Sequence, residues 1–161
     1  MLRMKTSACI EAPAERVWEC LSKVENIGDW VPAILSARCE TGTRRGAGTV
    51  RVCELKKFTV REEFIEWDEG RSFKYRGTGA PMIEWATNRW TVEAVGDRTL
   101  VTSEAELKVK GGRLGRLLEP LVYLATRLGL PNSLAPLKHY CETGQPFTGN
   151  PRHLPVPDTL C

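Results

Sequence analysis

The chain has 161 residues and a mass of 18.0 kDa, the length of one domain. Its 42% hydrophobic and 27% charged residues exclude wholesale disorder, collagen and low-complexity fibre. The net charge of +3 comes from interspersed bases and acids, so no nucleic-acid partner is expected.

Folding at this size buries roughly 70% of the unfolded chain's surface, so a core needs neither metal nor disulfide. No apolar run reaches the roughly 18 residues of a membrane span, and Met1 to Ala8 carries no apolar signal-peptide core. No integral membrane segment is therefore expected. The six cysteines, Cys9, Cys20, Cys39, Cys53, Cys141 and Cys161, contain no CxxC pair, and His139 and His153 follow no ligand spacing. The expectation is reduced thiols in a cytoplasmic protein, with no metal and no cofactor.

Residues 2–11 alternate between Met4, Thr6, Ala8, Ile10 and a more polar set, which predicts a first strand. Val17, Cys20, Leu21 and Val24 recur at i, i+3, i+4, i+7 and predict a short helix over 13–24. A second short helix, capped by Asn26, carries Ile27 and Trp30 and stops before Pro32. Strands follow at 34–40, 48–56, 58–67, 71–77, 83–95 and 98–109, nearly all joined by short turns. Short turns imply antiparallel neighbours.

From Leu114, apolar residues recur at Leu117, Leu121, Leu124 and Leu128 and predict a long helix bent at Pro120. It breaks at Leu130-Pro131, restarts near Ser133 and ends at Gly144. Residues 145–161 hold four prolines and read as an irregular tail after a single domain, 1–144. Packing on the sheet is expected for the leucines of 114–130. A membrane-surface helix is the other reading, and the stretch shows no cationic polar face for it.

An antiparallel sheet of seven strands curves, and only the long helix is large enough to fill its concave face. This order resembles a known family. The stretch IEAPAERVWECLSKVENIGDWVPAI at 10–34, GAGTVRVCEL, VREEFIEWDEGRSFKYRGTGAP at 60–81, RWTVEAVGDRTLVTSEAEL at 89–107 and the terminal LAPLKHYCETG carry the likeness. Together they resemble the polyketide cyclase/dehydrase and lipid-transport family. That family lies in the START-like, birch-pollen-allergen-like (SRPBCC) superfamily. The resemblance spans about 3–144. It implies an α+β helix-grip fold: a seven-stranded curved antiparallel sheet around a C-terminal helix, with two short helices after the first strand. It also implies a hydrophobic small-molecule ligand, lipid or polyketide-like, held between sheet and helix.

Only one face of each strand points inward. Val101, Ser103, Ala105 and Leu107 form the apolar set of 98–109, and Phe73 and Tyr75 that of 71–77. Strand 58–67 reads equally well with Val60, Glu62, Phe64, Glu66 or with Arg61, Glu63, Ile65, Trp67 inside. In 83–95, Trp85 and Arg89 oppose Trp90 and Val92. The resemblance favours the Glu62 set, and Trp85 with Arg89, facing inward.

The expected ligand-contacting residues are Trp30, Glu62, Phe64, Phe73, Tyr75, Trp85, Arg89, Ser103 and Leu121. Among them Glu62 is a candidate general base, Arg89 a clamp for a carboxylate or carbonyl, and Tyr75 a donor to an enolate oxygen. The plainer reading is an internal Glu62–Arg89 ion pair. Arg51, on the opposite parity, is a further candidate. Trp30 reads as a core plug and His139 as a surface histidine. The Lys56-Lys57 turn and the 77–81 loop are expected at the open end, controlling ligand access. Three functions compete: a binder of hydrophobic or aromatic small molecules, a cyclase or dehydrase using Glu62, Arg89 and Tyr75, and a protein-interaction module with a closed cavity.

Overall fold

The structure, a computed structural model, describes residues 1–129 and 134–161. Seven strands make one antiparallel sheet: β1 Leu2–Ile10, β2 Ile34–Cys39, β3 Val50–Leu55, β4 Thr59–Asp68, β5 Ser72–Thr78, β6 Ile83–Val95 and β7 Arg98–Val109. Their order across the sheet is β1-β7-β6-β5-β4-β3-β2. Consecutive strands β2 to β7 therefore pair as hairpins, as the short turns require. β1 closes the far edge by pairing with β7, with Ala8 opposite Val101.

Between β1 and β2 lie helix α1, Ala14–Ser22, and a 3-10 helix, Val24–Asp29. The second begins two residues before the expected Asn26 cap and has no side-chain cap. After β7 come α2, Gly112–Gly129, and α3, Ala135–Thr143, which Gly144 ends in a left-handed conformation. The expected Leu130-Pro131 break and Ser133 restart lie outside the described residues.

The core sits where α1 and α3 meet the β1–β7 end of the sheet. Ile10, Val17, Leu21, Val101 and Leu137 are all essentially inaccessible there. Beside them an aromatic wall runs across the sheet. Trp67 stacks on Phe73 at 5.3 Å, Phe64 meets both Phe73 and Tyr75, and Trp18 caps Trp67 edge-on at 5.6 Å. Each such pair contributes roughly 0.5–1.5 kcal/mol beyond its burial. Glu69, at the β4–β5 turn, accepts from the indoles of Trp18 (2.9 Å) and Trp67 (2.7 Å) and pairs with Arg45, which fixes the wall's outer end.

Two expectations need correction. First, the thiols are not all reduced: Cys9 and Cys161 form a disulfide. The tail is drawn back along β1, where the Cys9 amide donates to the Asp158 carbonyl at 2.7 Å and Pro157 is buried. The inference from reduced thiols to a reducing compartment thus loses two of its six cysteines.

Second, the leucines of α2 do not pack on the sheet. Leu114, Leu117, Leu121 and Leu124 are exposed, and Leu121, expected in the cavity, is 67% accessible. The gripping role falls to α3, whose Ala135, Leu137 and Cys141 are buried. α2 is held instead by its opposite side. Gly115 lies so close to the Lys110 carbonyl that a Cβ there would stand 2.2 Å from its oxygen.

The disulfide closes a loop of 152 residues in sequence separation, for which chain entropy gives a stabilisation of about 5 kcal/mol. Cys161→Ser is therefore expected to lower the unfolding midpoint under non-reducing conditions. Dithiothreitol should lower the wild-type midpoint equally and leave that of the variant unchanged.

Candidate functional site

The site grows out of the β3–β4 hairpin. Its turn closes with the Leu55 amide on the Phe58 carbonyl at 2.9 Å. That turn sets Glu54 against Thr59, Cys53 against Val60 and Arg51 against Glu62. Directly opposed residues share a face, so Arg51 and Glu62 point together into the concave side. Arg51, the further candidate named on the opposite parity, is only 2% exposed.

Its Nε donates to Glu62 Oε2 at 2.8 Å, its Nη2 also pairs with that oxygen, and its Nη1 donates to the Val24 carbonyl at 2.9 Å. The guanidinium lies 5.2 Å from the Phe64 ring centre and 5.3 Å from that of Tyr75. Cys53 Sγ donates to the same Glu62 oxygen at 3.5 Å. Burial disfavours the charge on Arg51, but the Glu62 carboxylate outweighs it, so Arg51 titrates above the ordinary range. Burial, with Glu62 beside it, pushes the Cys53 thiol up to about 12.

Glu62 and Tyr75 stand at one end of a cleft of about 200 Å³ on the concave face. Its floor is made of small residues, Gly77, Ala86 and Ala105, on three neighbouring strands. Asn88 lies between Tyr75 and Ala105 in the register and accepts a hydrogen bond from Ser103 Oγ at 2.9 Å. Ala80 and Ile83 form the other end, at the β5–β6 loop. That loop and the Lys56-Lys57 turn occupy the same end of the sheet. Gly79 touches Thr59 there, and any Cβ on Gly79 would meet the Thr59 carbonyl oxygen at 2.3 Å. Its φ of +104° also favours glycine.

The structure brings together part of the expected set. Glu62 and Tyr75 border the cleft. Ser103 reaches it through Asn88, while Phe64 and Phe73 lie in the aromatic wall behind. Trp30 is a buried plug, edge-on to Trp90 at 5.3 Å, with no partner for its indole nitrogen among the described residues.

Trp85 and Arg89 are corrections. Phe73 pairs with Trp90 across the β5–β6 ladder, so Trp90 and Asn88 share the inward face and Trp85 and Arg89 take the outer one. There Arg89 pairs with Glu66, and Arg76 lies 5.2 Å over the Trp85 ring. Glu66, expected inward, is turned out by a bulge between Phe64 and Glu66 that brings Trp67 to the inner face. The expected Glu62–Arg89 pair is therefore Glu62–Arg51. Leu121 contacts nothing in the cleft. His139 lies edge-on to Phe147 at 5.3 Å, away from the site.

Burial and the Glu62 charge raise the Tyr75 hydroxyl from 10.0 to about 12, against an opposing pull from Arg51, Trp90 and Asn88. Tyr75 is thus a hydrogen-bond donor throughout the physiological range, and the folded state holds its proton more tightly than the unfolded one. The associated stabilisation is present below pH 10 and lost as pH rises towards about 12. A tyrosinate absorbance titration should show one late step near 12 that Tyr75→Phe removes. For the buried pair, Arg51→Met alone is expected to destabilise by roughly 3–5 kcal/mol by stranding Glu62. Arg51→Met combined with Glu62→Leu should recover most of that loss in urea unfolding.

The chain matches the family described as polyketide cyclase / dehydrase and lipid transport over residues 1–142. No curated protein matches it. Among solved structures it is similar to TTHA0849 from Thermus thermophilus, with 21% identity, a TM-score of 0.69 and coverage of 87% of this chain and 97% of that one. It is also similar to the Zhui aromatase/cyclase from Streptomyces sp. R1128, with 16% identity, a TM-score of 0.67 and coverage of 89% and 97%. Ara h 8.0201 gives 16% identity, a TM-score of 0.65 and coverage of 87% and 97%. These likenesses show the helix-grip fold. With the match over nearly its whole length, the chain belongs to the polyketide cyclase/dehydrase and lipid-transport family.

Proposed function

We propose that this protein binds a hydrophobic or aromatic small molecule, lipid or polyketide-like, in the concave cleft. The observation that carries the reading is the small-residue floor of Gly77, Ala86 and Ala105. It leaves about 200 Å³ open beside Glu62, Tyr75 and Asn88. That is less than the roughly 300 Å³ at the lower end of drug-sized pockets. The cleft therefore takes a ring system or a segment of acyl chain, with the remainder emerging at the Ala80–Ile83 mouth. An apolar floor with polar groups at one end suits a ligand with a single oxygenated terminus. Tyr75 donates to a ligand carbonyl. Glu62 accepts from a ligand hydroxyl through Oε1, because its described donors all fall on Oε2.

The proton-chemistry reading is less well supported. It needed Glu62, Tyr75 and Arg89 together, and Arg89 lies on the outer face, paired with Glu66. A closed interaction module is less well supported too, since the cleft is open at its mouth.

Ala86→Leu and Ala105→Leu fill the floor without touching the Arg51–Glu62 pair. Each is expected to weaken binding of an anilinonaphthalene probe by at least roughly tenfold while leaving the far-ultraviolet spectrum unchanged. Full probe affinity in both folded variants would overturn the reading.

A further inference from the structure

α2 presents an arrangement that the cleft does not explain. Leu114, Leu117, Leu121 and Leu124 recur at i, i+3, i+7 and i+10, so they share one face, with accessibilities of 76%, 76%, 67% and 53%. The helix is anchored by the face turned away from this row. Gly115 is pressed on the Lys110 carbonyl, Glu119 accepts from the Met1 amine at 2.7 Å, and Val122 is half-buried. The leucines thus point off the body because of how α2 is attached.

Charge accompanies the stripe. α2 contains three arginines and one acid, Glu119, and that acid is neutralised by Met1. Arg113 and Arg116 each precede a stripe leucine by one residue, which puts them along its flank. With Lys110 they are exposed and make no ion pair among the described residues. The reading of 114–130 as without a cationic polar face is therefore corrected: Arg116 within it joins Arg113 and Lys110 just before it along one flank.

A second observation lies next to it. The Lys110 amide donates to the Met82 carbonyl at 2.8 Å, which ties the start of α2 to the β5–β6 loop. Met82 is 52% exposed, and among the described residues it is the single non-glycine residue at positive φ, +62°. A backbone conformation that methionine rarely adopts thus presents an exposed thioether on the loop tied to the start of α2.

A cationic flank, an unpartnered leucine face and an adjacent exposed methionine match an interfacial helix lying in the plane of a lipid surface. We propose that α2 docks on an anionic bilayer. The leucines and Met82 enter the acyl boundary, and Lys110, Arg113 and Arg116 meet the headgroups. No helix among the described residues is long and apolar enough to cross a membrane, so the contact is peripheral. Docking in this way sets the Ala80–Ile83 mouth of the cleft against the lipid. The inference does not depend on what the cleft binds.

The test is sedimentation of the full chain with phosphatidylcholine–phosphatidylserine vesicles and with pure phosphatidylcholine vesicles, at low and high salt. Binding is expected to the anionic vesicles, to weaken with salt, and to fall by roughly tenfold or more in Arg113→Gln/Arg116→Gln. Leu117→Gln/Leu121→Gln should lose binding to the same degree. Both pairs are exposed, and an unchanged circular dichroism spectrum shows that the fold persists. Three outcomes overturn the proposal. One is no binding to anionic vesicles. Another is binding that ignores the leucine pair. The third is self-association, seen as a doubled mass in sedimentation that the leucine pair abolishes, without vesicle binding.

Discussion

The buried ion pair between Arg51 and Glu62 is the constraint around which the site is arranged. Two charges taken out of water are tolerated only when each is satisfied. Here the guanidinium serves Glu62 on β4, the Val24 carbonyl at the start of the 3-10 helix, and the faces of Phe64 and Tyr75. One side chain thereby joins the sheet, the segment that plugs its end and the aromatic wall. Tyr75 stands beside this pair at the cleft, where its burial and the Glu62 charge keep its proton on against the pull of Arg51.

The concave face divides into two halves by side-chain size. Toward α1, large rings fill the curvature: Trp18, Trp67, Phe73, Phe64 and Trp90 are in contact or near contact, and the Trp30 plug closes that side. Toward the β5–β6 loop the inward positions shrink to Gly77, Ala86 and Ala105, and the curvature is left unfilled. The same sheet is thus a core at one end and a receptacle at the other. The α2 leucines that a conventional helix grip would lay over this region face outward instead, because Gly115 and Glu119 attach the helix by its other side. The cleft mouth and the leucine stripe then share one edge of the molecule.

Much of this architecture was legible in the sequence. β6 and β7 begin and end where alternation placed them, and β3, β4 and β5 do so within two residues. Their order with the helices carried the family likeness. Alternation also placed Tyr75, Phe73 and Ser103 inward. It failed where two faces were equally apolar. In β6 the deciding fact was the pairing of Phe73 with Trp90, a register that is fixed across the ladder and invisible within one strand. The Arg51–Glu62 pairing was readable in principle. With the turn at Lys56-Lys57, counting outward sets residue 51 opposite residue 62. The bulge after Phe64 defeats simple alternation, since it changes parity within β4. The disulfide was not legible because its partners stand 152 residues apart and meet only once the tail returns along β1. The outward leucines of α2 escaped for a similar reason. Periodicity identifies an apolar face and says nothing about which side of the helix is anchored.

The Cys9–Cys161 bridge also bears on how the sheet meets other sheets. β1 is an edge strand, paired with β7 on one side only, and an unpaired strand edge is a template for pairing with another chain. The returning tail occupies that edge at Cys9, whose amide donates to the Asp158 carbonyl, and the bridge holds it there. The disulfide is thus a guard against edge-to-edge association as well as a crosslink.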